Sequence, residues 1–412
     1  MKGRLKLIAG LAAIAASASA HAANANAPDP AITVQTAPAQ EPSNAELEQR
    51  IDALESELQA SEQRQGRDRG LTDAAVSAAT GWWSDTTLSG RMYYDISNVD
   101  QKTNGSRTGT ANGTSFDIKR FYIGVDHTFN SVFSADVTTD FTYDSTAGAS
   151  QIYIKKAYLQ AKLSDALVLR LGSADMPWIP FVENIYGYRY VENTLIDRTK
   201  YGTSADWGVH ASGKLYGGIL NYAFSVVNGA GYKKANLFRT NGPDYEGRVD
   251  LDYDGFTLGV GGYNGKLGAQ FGTRVHHDAS RFDAVAAYTM DALRLGVEYV
   301  TERNFNSVTS TVSNDSANGV SAFASYQFEP EWSVFGRYDH LRKKITGTGA
   351  ATIPDDYFNV GVSYSPVKNV DFSLVYKHES ASGGTLSTSN GTIGGPVNGT
   401  YNEVGLFGQV RW

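Results

Sequence analysis

The chain ends in Glu403-Val404-Gly405-Leu406-Phe407-Gly408-Gln409-Val410-Arg411-Trp412. Leu406, Val410 and Trp412 fall on one side of an extended strand; Glu403, Gln409 and Arg411 fall on the other. A strand that is apolar toward lipid, polar toward a lumen and closed by an interfacial aromatic is the terminal strand of a transmembrane β-barrel. The same texture runs backward from it. Leu88, Met92 and Tyr94 alternate with Ser89, Arg91, Tyr93 and Asp95. Phe133, Ala135, Val137 and Phe141 alternate with Ser134, Asp136, Thr138 and Asp140. Further runs centre near Leu159, Leu169, Val209, Tyr222, Val249, Leu258, Ala286, Val297, Ala324, Val334, Val360 and Leu374. The expectation is an all-β fold, an antiparallel barrel of about sixteen strands. Gly and Ala dilute the signal near Leu258 and Ala286.

Tight connections such as Asn130-Ser131, Ser164-Asp165, Asp254-Gly255 and Asp291-Ala292 alternate with long polar ones. The long ones are Asn98–Ser115, Ala174–Ser204, Gly229–Pro243, Asn264–Ser280, Asn304–Asn318, Arg342–Pro354 and Ser380–Thr400, with a short one at Asp144–Ser150. Short periplasmic turns and long extracellular loops give this rhythm. A soluble β-sandwich is the rival, but its strands are usually shorter.

Composition agrees. The 412 residues include no Cys, 43 Gly, 24 Tyr and 18 Phe, and mean hydropathy is −0.32. Past the N-terminus no run of about 20 residues is apolar enough for a spanning helix. Without Cys there are no disulfides or thiolate metal sites.

Lys2, Arg4 and Lys6 precede an apolar run from Leu7 to Ala18, and Ala20-His21-Ala22 reads as a cleavage site. Residues 1–22 are therefore expected to be a signal peptide. Its removal takes away three positive charges, so the formal −7 becomes −10, which disfavours nucleic acid as a partner. Residues 23–42 read as a disordered linker. Within 43–69, Ser43 and Glu46 form a capping box, and Leu47, Ile51, Leu54 and Leu58 mark a heptad seam. The segment is either a short periplasmic coiled coil or an amphipathic helix at the barrel mouth. Residues 85–412 are the barrel.

A barrel this wide can hold an aqueous channel. Arg or Lys facing lipid at midplane costs roughly 2–4 kcal/mol, so charged positions must face the lumen. This assigns Arg91, Arg120, Lys156, Arg170, Arg248, Arg294 and Arg337 to the lumen wall, with Lys162, Lys214 and Arg411. Asp95, Asp136, Asp140, Glu246, Asp283, Glu298, Asp339 and Glu403 share it. Acids and bases are nearly matched, so many arginines must pair with carboxylates. The loop Ala174–Ser204 carries Trp178, Phe181 and Tyr201 beside Tyr186, Tyr188, Arg189, Tyr190, Arg198 and Lys200. So many rings are costly to leave in water. The loop is expected either to fold inward as a constriction, with those last six residues on the passage, or to lie over the mouth as a lid. Lys233 and Lys234, in another loop, are expected to lie apart from it. No triad, phosphate loop or metal cluster is legible. The chain reads as a non-enzyme without cofactors. A plugged enzymatic barrel or a surface-binding protein is the alternative.

The run Phe116-Asp117-Ile118-Lys119-Arg120-Phe121-Tyr122-Ile123-Gly124-Val125 resembles a strand of the phosphate-selective O/P porin family. Ile154-Lys155-Lys156-Ala157-Tyr158-Leu159, Leu169-Arg170-Leu171-Gly172, Tyr190-Val191-Glu192-Asn193 and Asp206-Trp207-Gly208-Val209 resemble later segments of it. The resemblance implies a trimeric sixteen-strand outer-membrane porin of a Gram-negative bacterium, with an inward third loop and a ladder of lumenal Arg and Lys. Arg120, Arg170, Arg189, Arg198 and Lys200 fall in or near the matching segments. The acids interleaved among them depart from a phosphate-selective pattern, so a general porin for small polar solutes fits equally. The implied partners are small hydrophilic solutes or anions, outer-membrane lipids, the barrel-assembly machinery and further copies of the chain.

Overall fold

The computed structural model describes residues 53, 55–58, 61–62 and 81–412, apart from 108–111, 145–147, 235–238 and 348. The chain divides into two compact units, Met1–Ala74 and Ala75–Trp412. The signal peptide and linker lie outside the described residues. Of the expected heptad seam only Leu58 is described; it is helical and exposed.

The second unit is a closed antiparallel barrel. Seventeen strands form one sheet. One is the two-residue Ser106–Arg107, paired back onto the first strand inside the first loop. The other sixteen are β1 (Thr86–Thr103), β2 (Gly113–Thr128), β3 (Phe133–Asp144), β4 (Ala149–Ser164), β5 (Leu167–Asp175), β6 (Ala205–Leu215), β7 (Leu220–Val227) and β8 (Asp244–Tyr253). They continue through β9 (Phe256–Gly265), β10 (Ala279–Met290), β11 (Leu293–Arg303), β12 (Asp315–Glu329), β13 (Trp332–Ile345), β14 (Ala351–Val367), β15 (Val370–Thr388) and β16 (Gly391–Arg411). Each pairs with its neighbours in sequence, and β1 pairs with β16 from Arg91↔Arg411 to Thr103↔Gly399. Closure removes the edges that a bilayer would leave unsatisfied. Trp412 completes it: Gly90 and Trp412 exchange both backbone hydrogen bonds, at 3.0 and 3.1 Å.

The alternation read from the sequence sets the two faces. Leu159, Val209, Val249, Leu258, Val297, Val360, Leu374 and Leu406 are exposed on the outside. Asp95, Asp140, Asp283, Glu298, Asp339, Lys377 and Glu403 are buried inside. An apolar outer belt around a polar interior is a lipid-facing surface.

Three expectations about loops change, the loop expected at Arg342–Pro354 first: strand leaves only residues 346–350 of it. Residues 380–400 are mostly strand: β15 and β16 run past the barrel rim as one long hairpin, with Leu386 paired to Ile393. Its Ser, Thr and Gly content hid an alternation that buries Leu386 and Ile393. Strand β1 likewise extends to Thr103, into the expected first loop.

The weak strand near Leu258 has a physical cause. Inward positions Gly259 and Gly261 of β9 sit under side chains of the third long loop. A Cβ on Gly259 would lie 2.8 Å from the Phe181 ring, and one on Gly261 would lie 2.6 Å from the Trp178 ring. Glycine there marks close approach of another element rather than a broken strand.

Candidate functional site: the lumen and its third loop

The third long loop, between β5 and β6, holds two helices, α1 (Ile179–Tyr186) and α2 (Leu195–Arg198). Pro180 sits in the first turn of α1, where its missing N–H is no loss. Gly187 ends α1 at φ 81°, its N–H bonded to the Glu183 carbonyl. The helix then turns its apolar side, Ile179, Val182 and Tyr186, into the barrel wall.

The loop is fastened to strands β8 through β15. The Trp178 indole N–H donates to Glu298 at 2.8 Å, and its backbone N–H donates to Glu246 at 2.9 Å. The Tyr190 hydroxyl lies 3.1 Å from Ser363 Oγ and 2.6 Å from Ser373 Oγ. Tyr188 stacks on Phe335 with centroids 3.9 Å apart. Four wall arginines donate to carbonyls of the loop backbone. They are Arg248 to Pro177 at 2.6 Å, Arg294 to Tyr186 at 3.3 Å, Arg337 to Asn193 at 2.6 Å and Arg281 to Tyr201 at 2.6 Å.

Arg198 makes the strongest attachment. Its guanidinium donates to Asp339 at 2.9 Å, Asp355 at 2.7 Å and Glu379 at 2.6 Å, with all four side chains fully buried. It also stacks over the Tyr357 ring at 4.6 Å. One planar fork serving three carboxylates from β13, β14 and β15 is a geometry only Arg provides. The tip of the β15–β16 hairpin folds onto the same loop. Ser389 N–H donates to the Arg198 carbonyl at 2.8 Å, and Lys200 Nζ donates to Ser387 Oγ at 2.8 Å.

These contacts divide the six residues expected on the passage. Arg189 and Lys200 line the cavity that remains. Tyr186, Tyr190 and Arg198 do not: they are buried against the wall, 2%, 2% and 0% exposed. Tyr188, half-buried, stacks on Phe335 and is not among the residues lining the cavity. A ring or charge in this loop gains more by satisfying the wall than by facing water.

The cavity beside the loop has a volume of about 990 Å³. One side is β1 through β4, with Tyr93, Lys119, Arg120, Tyr122 and Lys155. Another is the third loop, with Arg189, Glu192, Asp197 and Lys200. The β7–β8 connection adds Tyr232, Lys233 and Lys234. The two lysines expected to lie apart therefore share the cavity.

The wall residues also fall into groups. Arg248, Arg294 and Arg337 hold the loop, as above. Arg91 donates to the Tyr93 hydroxyl at 3.2 Å and Arg170 to Gln160 at 2.9 Å. Arg120 faces Asp140 at 3.8 Å and Lys156 faces Asp175 at 3.8 Å.

Lys119 and Lys155, which the alternation rule passed over, are turned inward by β-bulges. The β1–β2 register shifts between Tyr93 and Tyr94, where Arg120 pairs with Tyr93 and Ile118 with Tyr94. The β3–β4 register shifts between Thr138 and Thr139, where Lys156 pairs with Thr138 and Ile154 with Thr139. Lys119 and Lys155 are the extra residues. Lys119 reaches Asp95 at 3.4 Å and Lys155 lies 4.8 Å over the Tyr122 ring. The doublets Lys119-Arg120 and Lys155-Lys156 carried the signal. Strict alternation would send one charge of each pair into lipid, so each doublet demands a bulge.

Charge in the loop is tuned by the wall. Burial works to raise the Glu192 carboxyl, but Lys377, at 3.4 Å, and Lys119 outweigh it and hold it at about 2. Burial pushes the Tyr232 phenol up to about 12. Burial and nearby Arg120 pull the Lys233 ammonium below its ordinary value.

No family model matches this chain, and no curated protein matches it by sequence. Solved structures do match in fold. The anion-selective porin from Comamonas acidovorans aligns with a TM-score of 0.59 at 12% identity, over 79% of this chain and 99% of that one. The outer membrane channel DcaP of Acinetobacter baumannii gives 0.55 at 11% identity, over 79% and 97%. OmpT of Vibrio cholerae, in its trimer form, gives 0.53 at 12% identity, over 79% and 99%. The chain has the fold of outer-membrane porins. Its closed barrel and apolar outer belt place it in a Gram-negative outer membrane.

Proposed function

We propose that this chain is a porin, a water-filled channel for passive diffusion that favours small anions and is narrowed by its third loop. The supporting observation is how unevenly the charges are used. Glu246, Glu298, Asp339, Asp355 and Glu379 are buried in bonds that fasten the loop. Lys155, Lys200, Lys233 and Lys234 line the cavity with no carboxylate within 4.0 Å among the described residues. The chain is acidic overall, yet distant charges are screened beyond about 8 Å in physiological salt. The field a solute meets comes from the cavity wall, and there four ammoniums stand unneutralised against the exposed carboxylate of Asp117.

The solved Comamonas acidovorans porin is named as anion-selective, in keeping with this reading. Inorganic phosphate is a candidate solute on the O/P resemblance. A homotrimer is the proposed assembly, in line with the trimer form of Vibrio cholerae OmpT. Residues 43–69 are proposed as a coiled coil that tethers its protomers. The lipids around the barrel and the machinery that assembles it complete the proposed partners. The lumen carries no catalytic role in this reading.

Planar-bilayer reconstitution tests it. A porin gives stable conductance steps, and a salt gradient gives a reversal potential on the anion side. A plugged or surface-binding barrel gives no steps.

A further inference from the structure

The wall between β2 and β3 is only half zipped. Their pairing runs from Gly124↔Thr138 to Thr128↔Ser134 among the described residues. Yet β2 continues to Gly113 and β3 to Asp144. Where the ladder stops, the Thr139 hydroxyl bridges to the Ile123 backbone. Beyond it the strands part. Ile118 pairs with Tyr94, and Phe141 with the exposed Ile152, so both occupy outward positions, as does Tyr143. All three nevertheless line the cavity. Parting the strands brings apolar surface to a cavity that is otherwise cationic.

Rings and ammoniums alternate beside this gap. Lys155 Nζ lies 4.8 Å from the Tyr122 centroid and 5.8 Å from that of Tyr232. Lys233 Nζ lies 4.9 Å from the Tyr153 centroid, and Tyr153 stacks on Tyr232 at 6.0 Å. A chloride or phosphate ion would use the ammoniums and leave the rings idle. A neutral aromatic would use the rings and leave the ammoniums unneutralised.

We propose that this corner of the cavity is a subsite for aromatic carboxylates. The carboxylate sits on Lys155 and Lys233, and the ring lies against the tyrosines and the Phe141–Tyr143 surface at the parted strands. The proposal rests on the channel reading above and narrows it to a solute class.

Benzoate and acetate carry the same charge and differ in the ring. In planar bilayers containing the full chain in chloride, benzoate should block the current at concentrations at least tenfold below acetate. Lys155→Gln with Lys233→Gln should raise the half-blocking benzoate concentration at least tenfold. Phe141→Ala with Tyr143→Ala should cut the benzoate-to-acetate ratio about fivefold. Lys368→Gln, in a turn remote from the cavity, should leave the ratio unchanged. Equal block by benzoate and acetate in a chloride-conducting channel overturns the subsite and spares the channel reading. Absence of conductance, or cation preference without any blocker, overturns the channel reading. Isothermal titration of benzoate into the detergent-solubilised full chain then decides the subsite. A benzoate isotherm lost in the double lysine variant supports it, and no heat beyond that of acetate sinks it.

Discussion

Arg198 is a fully buried guanidinium on which three carboxylates converge. Removing one partner of a buried ionic network costs about 3–5 kcal/mol, because the others stay buried and unpaired. Arg198→Ala leaves Asp355 and Glu379 buried without their cation, while Asp339 keeps Arg337 at 2.6 Å. Its thermal unfolding, followed by circular dichroism, should begin well below that of the wild type, and the loop should become cleavable by added protease. Arg198→Lys should rescue only part of this, since an ammonium cannot span three directions as a fork does. Glu192 gives a pH dependence with a defined sign. Its folded value, about 2, lies below the ordinary 4.5. Its stabilisation is therefore complete above 4.5 and is lost as pH falls toward 2. Channel noise and protease access to the third loop should rise as pH falls below about 4.5. In Glu192→Gln that rise should be smaller.

At the scale of elements, the loop and the wall were shaped for each other. Helix α1 rests on a strand that has given up side chains to receive it. Gly261→Val would press methyl groups into the Trp178 ring, against which even a Cβ would lie at 2.6 Å. Lifting Trp178 also breaks its bonds to Glu246 and Glu298. The expected result is larger single-channel conductance with a red-shifted tryptophan emission. A variant with unchanged conductance and emission would mean that α1 is not what narrows the lumen. The closing strand makes a second case. Trp412 pairs with Gly90 through both backbone bonds, and its ring covers the Gly90 Cα so closely that a Cβ would sit 2.0 Å from it. Deleting Trp412 should lower the folded, heat-modifiable fraction seen by gel mobility, and Gly90→Val should do the same by displacing the ring.

For the whole molecule the measurable property is ion preference. The chain carries a formal charge of −7, but bases outnumber acids around the cavity. Lys119→Gln with Lys155→Gln removes the two bulge lysines. It should shift the reversal potential toward cations more than Lys162→Gln with Lys214→Gln, which lie near the short-turn rim. Equal shifts from both pairs would mean that selectivity follows overall charge rather than the cavity.

Much of this architecture was legible in the chain. Alternation of apolar and polar residues is local, and lipid outside with water inside leaves one orientation for each strand, so strand number, facing and closure follow from it. Charge doublets and strand glycines also held information, about bulges and about a packed inner loop. What the alternation could not say is which lumenal charges meet water. Arg198 and Arg189 sit nine residues apart in the same aromatic loop and read alike, yet one is buried among three carboxylates of the wall and the other, paired with Glu183 and Asp197 of its own loop, lines the cavity. That difference is made by Asp339, Asp355 and Glu379, which lie more than 140 positions later in the chain. Coulomb energy depends on distance in space, and only the closed barrel brings those groups within 3 Å of one guanidinium and leaves the lysines across the lumen unneutralised.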